Sequence, residues 1–170
     1  MTSRSASPAA RGCEPMLARK VGLSRANRRA PVPVVEIALL RSLPLFAPLG
    51  APALEGLAYG LDETSVPAGT TVVREGEPGD RFYVVAEGEL EVDSGGRELG
   101  HLTRGDGFGE IALLRDVPRT ATVTARTDSR LYALGKARFL ASVGSHPRAT
   151  READRLVHER LPAAQATIAP

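Results

Sequence analysis

Two kinds of hydrophobic spacing divide this chain. In "VVEIALLRSL", Val34, Ile37, Leu40 and Leu43 fall on one helical face, so a short helix is predicted, ended by Pro44. A tight turn is expected at Leu45–Phe46–Ala47, then a second helix across Pro52–Tyr59 that buries Leu54, Leu57, Ala58 and Leu61. Pro52 suits its first turn, where a missing N–H leaves nothing unpaired. From Asp62 the spacing becomes alternating. Val72 lies in one predicted strand, Phe82, Val84 and Ala86 alternate in the next, and Leu90 and Val92 in a third. Turn signals at Glu77–Pro78–Gly79–Asp80, Glu87–Gly88 and Ser94–Gly95–Gly96 separate them, and Leu99 and Leu102 lead into a further turn, "TRGDG". The segment Phe108–Leu114 interrupts the alternation, which resumes over Ala121–Ala125 and Arg130–Leu134. Helical spacing returns at Lys136–Val143 and at His146–Arg160, where Ala149, Ala153, Leu156, Val157 and Leu161 mark an apolar stripe. Ser145 is the expected cap of the last helix and Pro162 its stop.

Many short strands ended by glycine turns predict a mainly β fold, an antiparallel jelly-roll β-barrel flanked by N- and C-terminal helices. One domain is expected over 34–161, with helices at 34–61 and 136–161 around a barrel at 62–135, and a flexible tail at 162–170. At 170 residues, with 42% hydrophobic and 25% charged side chains, the chain can form one globular domain with a core. Four Phe, three Tyr and no Trp leave that core mainly aliphatic and supply few stacking surfaces for nucleic acid.

The net charge of +2 is unevenly spread. Residues 1–33 carry seven basic side chains against one acid, Glu14, while the remainder carries fifteen basic and nineteen acidic ones. The first part is read as a disordered basic arm; the competing reading is a patch that touches nucleic acid or an anionic membrane. The single cysteine, Cys13, excludes an intrachain disulfide and a Cys₄ or Cys₂His₂ metal site, and fits a reducing cytoplasm. The longest uncharged apolar stretch, Ser42–Leu54, is too short to span a membrane, and the first thirty residues lack the apolar centre expected of a secretory signal, though their Arg, Ser and Ala resemble an organelle transit peptide weakly.

The chemistry concentrates in "GDGFGEIALLRDVPRTATVTA", residues 105–125. Gly105, Gly107 and Gly109 allow sharp turns and close approach to a ligand. If Gly109–Leu113 forms a short helix, its first amides are unpaired and face an anion. Arg119, beyond Pro118, offers a rigid fork of donors to two phosphate oxygens. Glu110 can accept from a sugar hydroxyl. Together they suit a cyclic phosphodiester, whose single negative charge needs one arginine and no divalent metal. The plainer alternatives are a surface Arg119, a Glu110 that pairs with Arg119 or caps the short helix, and a Thr120 that fills a strand edge. Val72, Val84, Leu99 and Leu113 read as core first and pocket wall second, and Asp80, Arg81 and Asp106 as turn or surface residues.

"FGEIALLRDVPRTATV" resembles the phosphate-binding cassette of the cyclic nucleotide-binding domain family, here 107–121. The family includes the regulatory subunits of cyclic-nucleotide-dependent kinases, bacterial catabolite-activator-type regulators and cyclic-nucleotide-gated channels. "VVREGEPGDRFYVVAEGELEV" is similar to its first strands, with Gly76, Gly79, Phe82 and Gly88 in the family's order. The resemblance covers about Leu43 to Arg160. It implies that Glu110 binds the ribose 2′-hydroxyl, that Arg119 grips the exocyclic phosphate oxygens, and that the amides of Gly109, Ile111 and Ala112 assist. Thr120 and Ala121 would lie beside the phosphate. Thr120 leans towards cGMP in eukaryotic relatives, whereas bacterial cAMP binders also use Ser or Thr there; cAMP is the expected ligand over cGMP. The last helix resembles the family's lid and dimer helix, with Arg148, Arg151, Arg155 and Leu156 as candidates to cover the base.

The expected function is a cyclic nucleotide sensor without catalysis or cofactor, acting on a separate or fused effector domain and able to form a homodimer through the last helix. The competing reading is a degenerate structural or dimerisation domain that binds no nucleotide. A cupin-like enzyme would need clustered metal ligands, and His101, His146 and His158 are scattered. A transcription regulator needs a helix-turn-helix after the dimer helix, and the sequence given has no room for one beyond Arg160.

Overall fold

The computed structural model describes residues 34–165, with side chains over 37–161; the basic arm expected at 1–33 lies outside the described residues. Helix α1 spans Val34–Ser42 and α2 spans Ala51–Ala58, with Pro52 in its first turn. Between them the N–H groups of Phe46 and Ala47 both donate to the Leu43 carbonyl, at 3.0 and 2.8 Å, and this turn drives Phe46 fully into the core. Strands β1 (Asp62–Val66), β2 (Thr71–Val73), β3 (Arg81–Glu87), β4 (Leu90–Ser94), β5 (Arg97–Leu102) and β6 (Gly107–Phe108) follow. Helix α3 (Glu110–Arg115) precedes β7 (Thr122–Ala125) and β8 (Ser129–Gly135), and α4 (Lys136–Gly144) and α5 (Pro147–Gln165) complete the described chain.

The strands form two four-stranded antiparallel sheets, β1-β8-β3-β6 and β2-β7-β4-β5. This corrects the expectation of a mainly β, closed jelly-roll barrel. No ladder joins the two sheets: β6 is two residues long and pairs only with β3, and the successive strands β1 and β2 pair with β8 and β7 in different sheets. Helices also hold more of the described residues than strands do, so the fold is mixed α/β, two sheets flanked by helices. Alternation gave no warning of this, because inward positions recur at every second residue in a closed barrel and in two facing sheets alike.

The first sheet is buried on both faces. Its outer side, with Phe82, Val84, Ala86, Tyr132 and Leu134, packs under the helices against Leu40, Phe46, Leu54, Phe139 and Ala153. Phe82 stacks on Phe139 at 4.8 Å and meets Phe46 edge-on at 5.6 Å. The inner side packs Val85 and Leu131 against Leu90, Val123 and Ala125 of the second sheet. All four phenylalanines of the chain are therefore buried.

Two details of the last helix also depart from expectation. Ser145 closes α4, with helical backbone angles and its hydroxyl donating to the Ser142 carbonyl at 3.1 Å, and Pro147 opens α5 instead. The helix runs through Pro162 to Gln165: a proline removes one backbone bond, to the carbonyl four residues earlier, without ending the helix here.

Candidate ligand-binding site

A cavity of about 280 Å³ opens between the inner faces of the sheets and the start of α3. Its walls are mostly apolar, with Val73, Val92, Leu99, Leu102, Phe108 and Val123 among them, and His101, Glu110, Arg119, Thr120, Glu159 and Arg160 supply its polar side chains. Gly109, Glu110, Ile111, Ala112, Arg119, Thr120 and Ala121, the seven residues singled out in the sequence, all line it. Of the four residues read as core first and pocket wall second, Val84 and Leu113 lie in the helix-side core, Val72 packs against the core between the sheets, and Leu99 lines the cavity, as does Val73.

Local chemistry explains how α3 enters the site. Gly109 is its N-cap, at φ 90° and ψ 1°, a left-handed conformation that a Cβ would strain. A Cβ there would also collide with the guanidinium of Arg119 and lie 3.0 Å from the Arg81 carbonyl. The amides of Ile111 and Ala112, in the first turn of a helix, have no acceptor within it. Asp116 ends α3 with φ 53°, and its carboxylate pairs with Lys136, whose ammonium holds it below the usual carboxylate range.

Arg119 is 5% exposed. Its backbone is clamped by the turn after β2: its N–H donates to the Glu77 carbonyl at 2.8 Å and its carbonyl accepts from Gly76 at 2.9 Å. A Cβ at Gly79 would sit 2.7 Å from Ala112 and 3.2 Å from the guanidinium, so glycine keeps this turn close to the arginine. Nη1 donates to the Gly109 carbonyl at 3.1 Å and Nη2 to the Arg81 carbonyl at 2.8 Å. Those two bonds fix the fork, and its other N–H groups have no protein acceptor among the described residues. The ring of Tyr83 lies 6.0 Å away, itself stacked on Phe108 at 5.0 Å. Burial lowers the pKa of Arg119, while Tyr83, Asp80 and Glu110 act to raise it.

Glu110 is 1% exposed. It neither pairs with Arg119 nor caps α3. Its Oε1 accepts from Nη1 of Arg160 on α5 at 2.8 Å, and the same nitrogen donates to the Gly107 carbonyl at 2.9 Å. Thr120 is half-buried, with no protein partner for its hydroxyl among the described residues. Of the residues proposed to reach the site from the last helix, Arg155 pairs instead with Glu152 and Glu159, and Arg148 and Arg151 are exposed. Glu159 and Arg160 line the cavity in their place. One signal was available: Arg160 continues the stripe Ala149, Ala153, Val157, but its charge hid it from an apolar pattern. Arg81 pairs with Asp62, and Asp106 accepts from Thr103 in its own turn, as surface and turn residues. Among the described residues no group of three His, Cys, Asp or Glu could hold a metal ion, and no helix is long and apolar enough to cross a membrane.

The cavity beside two sheets, with a buried arginine and a buried carboxylate among its lining, defines a ligand-binding module. The cAMP-dependent protein kinase regulatory subunit of Yarrowia lipolytica is 44% identical over 107 residues, covering 62% of this chain and 28% of that protein. The cGMP-dependent protein kinase egl-4 of Caenorhabditis briggsae is 50% identical over 72 residues, 42% of this chain and 10% of that protein. In structure, the regulatory domain of Toxoplasma gondii PKA, solved with cAMP, matches with a TM-score of 0.61 and 35% identity over 62% of this chain and 42% of that one. The chain thus spans less than half the length of these relatives. Residues 63–146 match the model described as "Cyclic nucleotide-binding domain", and this stretch belongs to that family.

Proposed function

We propose that residues 34–161 act as a sensor that binds a 3′,5′-cyclic nucleotide in this cavity, cAMP in preference to cGMP. The observation that carries the reading is the buried fork of Arg119, fixed by two carbonyls with donors to spare, in the same apolar cavity as the buried carboxylate of Glu110. Arg119 would take the exocyclic oxygens of the phosphate, helped by the amides of Gly109, Ile111 and Ala112. One arginine matches the single charge of a cyclic phosphodiester. Glu110 would accept from the ribose 2′-hydroxyl, and Thr120 and Ala121 would flank the phosphate. The preference for cAMP is supported by the kinase regulatory subunits among the relatives, which are named for their dependence on it.

The effector, on a separate or the same polypeptide, is part of this proposal, as is a cytoplasmic location. A homodimer through α5 would use the charged face of that helix, because Ala149, Ala153 and Val157 pack inward. Calorimetric titration with cAMP and with cGMP tests the reading. Micromolar or tighter binding is expected, stronger for cAMP. Arg119→Ala is expected to weaken it by about a hundredfold or more, the scale for truncating one side of a buried charge contact. Absence of heat and of any thermal shift with both nucleotides would overturn it.

A further inference from the structure

Glu75 joins three parts of the structure on which the cavity depends. Strand β2 stops at Val73 and the chain turns at once, the Glu77 N–H donating to the Arg74 carbonyl at 3.2 Å. Gly76 and Glu77 of this turn hold the backbone of Arg119. The Glu75 N–H donates to the Thr122 hydroxyl at the start of β7, at 3.0 Å. Its carboxylate reaches past β7 to the tip of the β4–β5 hairpin. There Oε1 accepts from the hydroxyl of Ser94, a buried residue, at 3.2 Å, and Oε2 from the Gly95 N–H at 2.9 Å. The β4–β7 ladder ends at Asp93 and Thr122, so Glu75 takes over the attachment where backbone pairing stops. Beyond it β5 is an edge strand, paired only with β4. Its register slips at this place: Val92 faces Gly100 and Asp93 faces Glu98, which leaves Leu99 as the extra residue of a bulge. Val92, Leu99, Gly100 and Leu102 of the hairpin all line the cavity.

We infer that Glu75 is a positioning residue for the base of the nucleotide: by clamping the hairpin tip to the turn that holds Arg119, it sets the apolar wall at a fixed spacing from that arginine. The inference rests on the cyclic nucleotide reading of the cavity. A phosphate on Arg119 leaves the base to the apolar walls, and how much of it they cover depends on where Val92 and Leu99 stand. Without its clamp the edge hairpin keeps the ladder to β7, but its tip and bulge are free and the wall recedes. The base then loses apolar contact while the phosphate keeps its arginine. Gly76 and Glu77 hold Arg119 through backbone groups, not through the Glu75 side chain.

The test compares cAMP with cCMP, which has the same sugar and phosphate and a smaller base, by calorimetry. The unaltered protein is expected to favour cAMP by about tenfold or more, from the larger base face buried on the wall. Glu75→Ala is expected to bring the two ligands within about threefold of each other, chiefly through weaker cAMP binding. Glu75→Gln keeps an oxygen that accepts from the Gly95 N–H and gains an amide that can donate to the Ser94 hydroxyl; it is expected to retain most of the preference. If Glu75→Ala does not fold, Ser94→Ala carries the comparison: it removes only the bond to Oε1 and is expected to lower the preference by about threefold. Full preference retained in the variant that is read overturns the inference. So does an equal weakening of both ligands, which would make Glu75 a support of Arg119 or of the fold and not a guide of the wall. So does a Glu75→Gln protein no better than Glu75→Ala, which would tie the effect to charge instead of position. If the unaltered protein binds neither cAMP nor cGMP, the functional reading itself falls; if it binds cAMP and cCMP with equal affinity, only the present inference does.

Discussion

Desolvation works against the charge of Arg119, and the neighbouring Tyr83, Asp80 and Glu110 work in its favour. The cost of this environment also falls on Tyr83, whose phenol burial pushes above its ordinary value of 10.0, with Arg119 pulling it back. The direction fixes a pH dependence. Between the two values the unfolded chain has released the Tyr83 proton and the folded chain has not, so stability present below about pH 10 is lost as pH rises through the folded value. Denaturant unfolding across the alkaline range is expected to show that slope reduced in Tyr83→Phe. Gly109 belongs to the same scale. Gly109→Ala meets both a positive φ and the guanidinium of Arg119. It is expected to destabilise the fold by about 1–3 kcal/mol and to displace Arg119, read as a lower urea midpoint together with weaker nucleotide binding. A fall in midpoint with unchanged binding would separate the glycine's turn from the arginine's position.

The attachment of α5 is decided at the level of whole elements, by packing more than by charge. Ala149, Ala153 and Val157 are almost wholly buried, and small side chains let the helix lie close. Ala153→Leu is expected to destabilise by about 1–3 kcal/mol through overpacking, measured by urea unfolding. Asp154→Asn removes only the exposed pair with Arg115 and is expected to change stability by less than about 1 kcal/mol. The packing side of this element was legible in the sequence, since the stripe fell at helical spacing. The functional end was not. Arg160 meets its partner Glu110 across 50 residues, and no local period encodes a contact of that span. By contrast, the cassette is a local feature: Gly109, Glu110, Arg119 and Thr120 lie within a dozen residues, and one short helix and one clamped loop bring them together.

Across the molecule, β3 and β8 are shared by two cores, one under the helices and one between the sheets. The alternation of Phe82, Val84 and Ala86 marked one of these faces, whereas the second, carried by Tyr83 and Val85, was not read from the pattern. What it could not reveal was where the hydrogen-bonded ladders stop, because edges are defined by which strands fail to pair. The shared sheet has a thermodynamic consequence. Neither the helix layer nor the second sheet can leave without exposing one face of β3 and β8 to water, so the layers should unfold as one unit. Phe82→Ala, on the helix side, is expected to lower stability by about 3–5 kcal/mol, and Leu131→Ala, between the sheets, by about 2–5 kcal/mol. In both variants, as in the unaltered chain, the helical circular dichroism and the tyrosine fluorescence are expected to change at one common midpoint. The fluorescence reports on the fold directly, because the chain has no tryptophan and Tyr83 and Tyr132 lie against the inner and helix-side cores. Loss of the helical signal ahead of the fluorescence would mean that the helices are held on the first sheet too weakly to unfold with it, and would overturn the expectation of a single cooperative unit.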